Sequence, residues 1–170
     1  MRPVLFALLL SVAASAAMAQ EPTPPPATAP TSFAFEEVAT LAPAQILGET
    51  PNGRRQSIPI TGGTFSGPGI SGHILPGGAD YQLVRSDGAV MIDADYMLET
   101  DDHVIIHVRN VGVIVPPAGK GQAAYPWAAP KFDAPNGRYG WLNNAIFVSR
   151  IGGAGDPAHP AVRITIWKVG

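Results

Sequence analysis

Apolar and polar residues alternate with a period of two along most of the chain after residue 32. The clearest run is Val162–Val169, and the β-branched run Val104–Val108 is too short for a helix. Phe33–Leu41, Ser57–Phe65 and Trp141–Val148 have the same character. Turn-forming Gly, Pro, Asn and Asp clusters separate the runs. Short strands at this spacing, with no long helical pattern, predict an all-β antiparallel barrel or sandwich.

Two hairpins follow from the turn signals between residues 80 and 110. A two-residue turn at Asp87-Gly88 would place Asp80 opposite Asp95. A second turn centred on Asp101-Asp102 would place Asp95 opposite Val108. Because side chains alternate across a strand, this register sorts every residue of the two hairpins onto one of two faces.

Both predicted faces mix polar and apolar side chains. One carries Asp80, Gln82, Asp93, Asp95, Glu99 and Asn110 together with Val84, Met91, Met97, Val104, Ile106 and Val108. The other carries Tyr81, Leu83, Arg85, Ile92, Tyr96, Leu98, Ile105, His107 and Arg109. Long Arg side chains fit poorly inside a narrow barrel but extend readily into solvent. We therefore expect Asp80, Gln82, Asp95, Glu99 and Asn110 to point inwards and Tyr81 and Tyr96 to point outwards.

The predicted register makes Asp80 and Asp95 candidate catalytic residues. Directly opposed Cβ atoms lie about 4.5–5.5 Å apart, and two carboxyl groups that close share a proton in a partly dry site. Such a pair could act as acid and base, with Gln82 and Asn110 as hydrogen-bonding neighbours. The alternatives are two solvated acids on an outer surface, or a register that differs by one residue.

The first 19 residues have the features of a secretory signal peptide. Arg2 precedes the apolar run Val4–Val12, and Ala17–Ala19 forms an A-x-A cleavage site. Residues 20–32 are Pro-rich and read as an extended linker, which leaves 33–170 as a single β-barrel domain. We expect cleavage near Ala19, a periplasmic or secreted location, and no membrane span in the mature chain.

Charge and composition narrow the classes of partner and cofactor. Removal of residues 1–19 leaves ten basic residues against 13 acidic ones, which argues against nucleic acid as a partner. There is no Cys, so no disulfide supports the fold. Gly67–Gly72 fits G-x-G-x-x-G, but the residues after it cannot form the helix that dinucleotide binding needs. His103 and His107 lie about 13 Å apart on a strand, so we expect no metal site and no cofactor.

Several segments in this order resemble the DUF3237 (UPF0311) family. They are GETPNGRRQSIPITGGTF, LPGGADYQLVRSDG, DADYMLETDD, IHVRN and RYGWLNNAIFV, and the resemblance extends from about Leu41 to Val169. It implies a calycin-like antiparallel β-barrel, which we expect to have about eight to ten strands. It implies no established general activity. The positions that match the polar motifs of the family are Asp80, Gln82, Arg85, Asp95, Glu99, Arg109, Asn110, Trp141 and Asn143.

The chain departs from the family pattern at three places. Tyr81 stands where Trp is more usual, the region from Pro116 to Trp127 is shortened, and a signal peptide is atypical. The residues from Val113 to Pro130 read as loop, which could cover a barrel mouth or be an ordinary connection.

We consider three classes of function. The first is an exported barrel that binds a small organic ligand, with a polar site of Gln82, Glu99, Arg109, Asn110, Trp141 and Asn143 around the two Asp residues. The alternative is a cofactor-independent isomerase, dehydratase or cyclase that uses Asp80 and Asp95 for acid/base catalysis. The third is an interaction protein of the envelope, for which an exposed apolar sheet face would support a homodimer.

Overall fold

The computed structural model describes residues 29–170 and confirms the all-β prediction. The signal peptide predicted at 1–19, and residues 20–28 of the predicted linker, lie outside the described residues. The elements are β1 (Thr31–Leu41), β2 (Gln45–Thr50), β3 (Gly53–Gly67), β4 (Ile70–Ile74), β5 (Ala79–Val84), β6 (Val90–Thr100), β7 (Ile105–Val115), β8 (Tyr125–Asp133), a 3-10 helix (Gly140–Asn144), β9 (Ile146–Gly153) and β10 (Ala161–Val169).

The strands close into an antiparallel barrel of eight positions. The order runs β1, β10, β9, β8, β7 and β6, and then through β5 to β3, which pairs again with β1. β4 and β5 both pair with β3 and β6, so the two short strands share one position and are separated by Leu75–Gly78. β2 pairs with β3 beyond the end of β1.

One end of the barrel is filled with side chains. Phe35 packs against Phe65 and Phe132 with ring centroids 5.9 and 5.6 Å apart, and Phe132 meets Phe147 at 5.0 Å. Leu142 of the 3-10 helix is 1% exposed and completes this packing. We call this the closed end.

The other end is bounded by connections between strands, and we call it the open end. They are the turn from β2 to β3, the loop from β5 to β6, the loop of residues 116–124 from β7 to β8 and the loop from β9 to β10. Half of the stretch from Val113 to Pro130, which the sequence predicted as loop, is strand: residues 113–115 end β7 and residues 125–130 begin β8. No helix in the described part of the chain has the length and apolarity needed to cross a bilayer.

The predicted register of the first hairpin is wrong by one residue. Asp80 pairs with Ala94 instead of Asp95, and Asp95 pairs with Ala79. The cause is the loop, because the N–H of Arg85 donates to the carbonyl of Ala89 and encloses three residues instead of two. Its last residue is Gly88, at a φ of 83°. This is the three-residue hairpin in which a type I turn is followed by a left-handed residue.

The second hairpin repeats the same geometry and the same correction. The N–H of Thr100 donates to the carbonyl of Val104, and His103 takes the left-handed position at a φ of 64°. Asp95 therefore pairs with Arg109 instead of Val108. The error of one residue in the first hairpin assigns the side chains of β6 to the wrong face relative to β5. The second error, also of one residue, cancels the first, so the predicted facing of β7 relative to β5 is correct.

Candidate functional site

A cavity of about 90 Å³ lies inside the barrel at the open end. Its wall is mainly aliphatic, and the polar side chains of Asp80, Gln82, Tyr96 and Asn110 interrupt it. The other lining residues are Ala39, Leu41, Ile58, Ile60, Ile92, Ala94, Ile114, Ile151, Val162 and Ile164. An apolar chamber with a few convergent polar groups is the usual form of a small-molecule site.

Asp80 is held in this wall by two direct hydrogen bonds, one from Gln82 and one from the backbone of Asp93. Gln56 Nε2 donates to Gln82 Oε1 at 2.7 Å, and Gln82 Nε2 donates to Asp80 Oδ2 at 2.6 Å. The backbone N–H of Asp93 donates to the other oxygen, Asp80 Oδ1, at 3.0 Å. Burial raises the pKa of Asp80, although these hydrogen bonds oppose part of the rise. The result is a carboxyl group at the cavity that takes up a proton more readily than an exposed Asp.

Asn110 forms the polar part of the wall on β7. It is 1% exposed, and its Oδ1 accepts a hydrogen bond from Ser149 Oγ at 3.3 Å. Asp80, Gln82 and Asn110 therefore share the barrel interior, as the sequence predicted. Ile106 and Val108 also point inwards as predicted, and both are fully buried.

Every residue of β6 faces the side opposite to the prediction. Tyr96, predicted outside, is 2% exposed inside the barrel, whereas Asp95 and Glu99 lie on the outer surface. Asp95 Oδ1 meets His107 Nε2 at 3.0 Å, and Glu99 meets His103 and His73 at 2.9 and 3.1 Å. The hydrogen bond from His103 lowers the pKa of Glu99. The predicted pairing of Asp80 with Asp95 is wrong, because the two side chains project from opposite faces.

The remaining predicted site residues lie away from the cavity. Arg109 forms a two-point ion pair with Asp93 on the outer wall, with both N–O distances 2.8 Å. Trp141 is 37% exposed and packs on Phe147 at 5.8 Å. Asn143 donates to the carbonyl of Ala134 and accepts from its N–H, both at 2.8 Å. The side-chain amide of Asn143 thus makes the two backbone hydrogen bonds that a neighbouring strand would make, at the residue that follows β8.

A second groove, of about 670 Å³, lies on the outer wall where β4 gives way to β5. Asp93, Asp95 and Arg109 line it beside Tyr81. Its charged groups are paired with each other or with His107. The described residues hold no group of three or more His, Asp or Glu side chains arranged for a metal ion.

Sequence reasoning missed the buried acid Glu37. It is fully buried, and Tyr96 Oη donates to its Oε2 at 2.5 Å. Burial raises the pKa of Glu37 from 4.5 to about 7. A signal was available, because the alternation of the predicted strand Phe33–Leu41 puts Glu37 on the same face as Phe35 and Ala39.

The comparisons with known proteins agree with this barrel. Residues 29–169 match the family described as Protein of unknown function (DUF3237). A UPF0311 protein of Rhodopseudomonas palustris is 33% identical over 150 residues, which cover 82% of this chain and 94% of that protein. The crystal structure of a beta-barrel like protein from Acinetobacter baumannii has a TM-score of 0.77 at 31% identity, covering 89% of this chain and 100% of that chain.

A fungal relative has a named activity. The hydroalkoxylation enzyme phnH of Penicillium herquei is 32% identical over 141 residues, which cover 82% of this chain and 84% of that enzyme. The resemblance seen in the sequence motifs is confirmed by the match over nearly the whole barrel. This chain belongs to the DUF3237 (UPF0311) family.

Proposed function

We propose that this protein binds a small, mainly apolar organic molecule in the cavity at the open end. The observation that carries the proposal is Asp80, a carboxyl group of raised pKa set in an aliphatic wall beside Gln82 and Asn110. Buried carboxyl groups need hydrogen-bond partners, and a wall of this kind suits an apolar body with one polar head.

The size of the cavity restricts the ligand. About 90 Å³ is well below the 300–1,000 Å³ of ordinary ligand pockets, and an engineered apolar cavity of about 150 Å³ accepts benzene. The enclosed part therefore accommodates a short branched chain or part of a benzene-sized ring. A larger ligand would extend through the open end between the loops.

Native mass spectrometry of the protein purified from its own host tests this proposal. We expect a small molecule to co-purify with the wild type and to be lost in Ala94→Leu, which fills the cavity. Ala129→Leu is the matched control, because Ala129 is exposed on β8. A molecule retained equally by both variants would contradict the proposed site.

A second function is favoured by the raised pKa of Asp80 and by the fungal relative. Hydroalkoxylation adds an O–H group across a carbon–carbon double bond. The oxygen bonds to one carbon and a proton is added to the other, so the product is an isomer and no electrons leave the substrate. A carboxyl group whose pKa is raised by an apolar cavity can supply that proton to the carbon and recover one from the hydroxyl group as its oxygen bonds to the other carbon. Asp80 would be the acid of a cofactor-independent isomerase, dehydratase or cyclase.

Turnover of a panel of alkenyl phenols, followed by chromatography of the cyclic ethers, tests the catalytic function. We expect Asp80→Asn to lower the rate at least 100-fold, in line with the usual contribution of a general acid. Asp95→Asn removes a carboxyl group on the outer face and should change the rate less than twofold. Equal losses in the two variants would rule out the role of Asp80.

A further inference from the structure

The side chain of Tyr96 crosses the barrel interior. It starts on β6 and reaches Glu37 on β1, which lies three strand positions away through β5 and β3. Leu98, the next inward residue of β6, belongs to the packed core, whereas Tyr96 also lines the cavity. Tyr96 therefore forms the floor of the cavity, and together with Glu37 behind it separates the cavity from the closed end.

Glu37 lies directly against that floor. Three residues that line the cavity surround it: Ala39 is the next inward residue of β1, Ile164 is its cross-strand neighbour on β10, and Tyr96 is its hydrogen-bond partner. On the other side of β1, β3 places the buried Phe65 opposite Glu37. The carboxyl group is thus enclosed by apolar groups except at Tyr96.

One oxygen of this carboxyl group has no partner among the described residues. Tyr96 satisfies Oε2, while Oε1 is buried without a hydrogen bond. A buried polar atom without a partner costs about 1–3 kcal/mol, and more if it is charged. Apolar packing alone would be served better by Leu at this position. A hydrogen-bond donor delivered by a ligand would remove the cost.

We propose that Glu37 and Tyr96 form a hydroxyl-binding subsite at the floor of the cavity, which selects ligands that carry an alcohol or phenol group at their inner end. The ligand hydroxyl donates to Glu37 Oε1 beside the Tyr96 hydroxyl, and its apolar body fills the aliphatic wall up to Asp80. This inference rests on the proposed ligand-binding function and specifies the class of ligand.

The subsite would depend on pH. An ionised carboxylate only accepts hydrogen bonds, so it favours a hydroxyl donor more strongly than the protonated form does. Apart from Glu37 itself, the charged group that acts on the pair is Asp80 from β5. Burial is the main cause that raises the pKa of Tyr96, and the charges of Glu37 and Asp80 raise it further. Tyr96 therefore stays protonated, and the titrating member is Glu37, near pH 7.

Binding of phenol and toluene to the full-length protein separates this inference from the proposed function. The two probes have nearly the same shape, and phenol has a hydroxyl where toluene has a methyl group. We expect calorimetric titration at pH 8 to show phenol binding about tenfold more tightly than toluene, the effect of one hydrogen bond to a charged group. This preference should shrink at pH 6, where Glu37 is mostly protonated.

Glu37→Gln should keep toluene binding and lose both the phenol preference and its dependence on pH. Tyr96→Phe should keep toluene binding and reduce the phenol preference at pH 8, because loss of the Tyr96 hydrogen bond raises the pKa of Glu37 further. Glu36→Gln is the control, because Glu36 adjoins Glu37 in sequence but pairs with Arg163 on the outer face. If the wild type binds both probes but the variants retain the preference and its pH dependence, the subsite is wrong and the ligand-binding function stands. If the wild type binds neither probe, both proposals fail.

A measurement on the wild type covers the case in which these variants do not fold. Carbon-13 labelling of the Glu carboxyl groups should reveal one group that titrates near pH 7 in the free protein. Saturation with phenol should lower that pKa by about one unit, because a ligand that binds the ionised form tenfold more tightly shifts the titration by that amount. Toluene should leave the pKa unchanged. A titration that phenol leaves unchanged would overturn the proposal.

Discussion

The backbone N–H of Asp93 donates a hydrogen bond to the side chain of Asp80 at 3.0 Å. On either side of this contact the ladder between β5 and β6 is regular, with Asp80 opposite Ala94 and Leu83 opposite Met91. The Asp80 carboxyl therefore binds to the backbone at a point inside the hairpin. This contact fixes the carboxyl at the cavity wall before any ligand arrives.

The first prediction concerns this backbone contact. Asp80→Leu removes the acceptor for both the Asp93 N–H and Gln82, and it should lower the free energy of unfolding by about 1–3 kcal/mol at pH 7. Asp80→Asn keeps an acceptor oxygen for the N–H and should cost less. Urea denaturation measures both. A Leu variant as stable as the Asn variant would show that the contact contributes nothing.

The second prediction concerns the pH dependence of stability. The pKa of Glu37 is about 7 in the folded protein and 4.5 when unperturbed, so between these values the folded protein binds more protons than the unfolded chain. Stability should therefore fall as pH rises through this window, by roughly 3 kcal/mol. Glu37→Gln should remove the part of the fall that Glu37 contributes and leave the part from Asp80, whose pKa burial also raises, whereas Glu36→Gln should keep the whole fall. Urea denaturation at pH 5 and pH 8 provides the comparison, and an unchanged slope in Glu37→Gln would contradict the assignment.

The third prediction concerns the left-handed residue of the second hairpin. A β-branched side chain is strained at a φ of 64°, so His103→Val should lower stability by about 1–3 kcal/mol. Asn tolerates this conformation, and His103→Asn should be nearly neutral although it also loses the contact with Glu99. Thermal unfolding followed by circular dichroism distinguishes them. Equal melting temperatures would mean that backbone strain at this position is negligible.

These hairpins also show where the sequence was sufficient and where it was not. Asp87-Gly88 marked the first turn correctly, but the same residues suit a two-residue turn and a three-residue turn that ends in a left-handed Gly. The second loop places His103 in the left-handed position, but the neighbouring Asp101 and Asp102 tolerate that conformation as well, so residue preference alone does not identify it. Because one residue of register reverses a whole strand, the sheet could be predicted while the facing of β6 could not.

The sequence predicted some of the residues that line the cavity and missed others. Asp80, Gln82 and Asn110 lie on β5 and β7, whose relative facing survives the two register errors. Glu37 lies about 40 residues earlier in the chain than Asp80, and only closure of the barrel brings β1 near β6. Family motifs indicated Asn143, but its two contacts with Ala134 are structural and depend on a gap between β8 and β9 that no local pattern reveals.

The fourth prediction concerns the close approach of β7 and β8. A Cβ atom added at Gly112 would lie 2.3 Å from the carbonyl oxygen of Trp127 and 2.4 Å from the Cβ of Ala128. Gly112→Ala should therefore separate the strands and lower stability by about 1–3 kcal/mol. Gly152→Ala meets no atom within 4 Å and should be neutral or slightly stabilising. Chemical denaturation measures the free energy of unfolding of both variants, and similar values for the two would refute the steric argument.

The fifth prediction compares Asn143, whose contacts are structural, with the neighbouring Asn144. Asn143→Ala leaves both the N–H and the carbonyl of the buried Ala134 without a partner, and it should cost about 1–3 kcal/mol. Asn144→Ala loses one exposed contact with Gly140 and should cost less than about 0.5 kcal/mol. Affinity for phenol should be the same in both folded variants. A selective loss of affinity in Asn143→Ala would instead indicate a role in binding.

The first and last strands meet edge to edge, with Thr31 opposite Val169 at the closed end. A segment attached before Thr31 or after Val169 therefore emerges on the side remote from the cavity. A barrel immobilised on a surface through either terminus would present its mouth to the surrounding solution. The adjacent ends of β1 and β10 could also be joined by a short peptide, and new ends could be opened in the loop of residues 154–160 to bring an attachment point to the rim of the mouth.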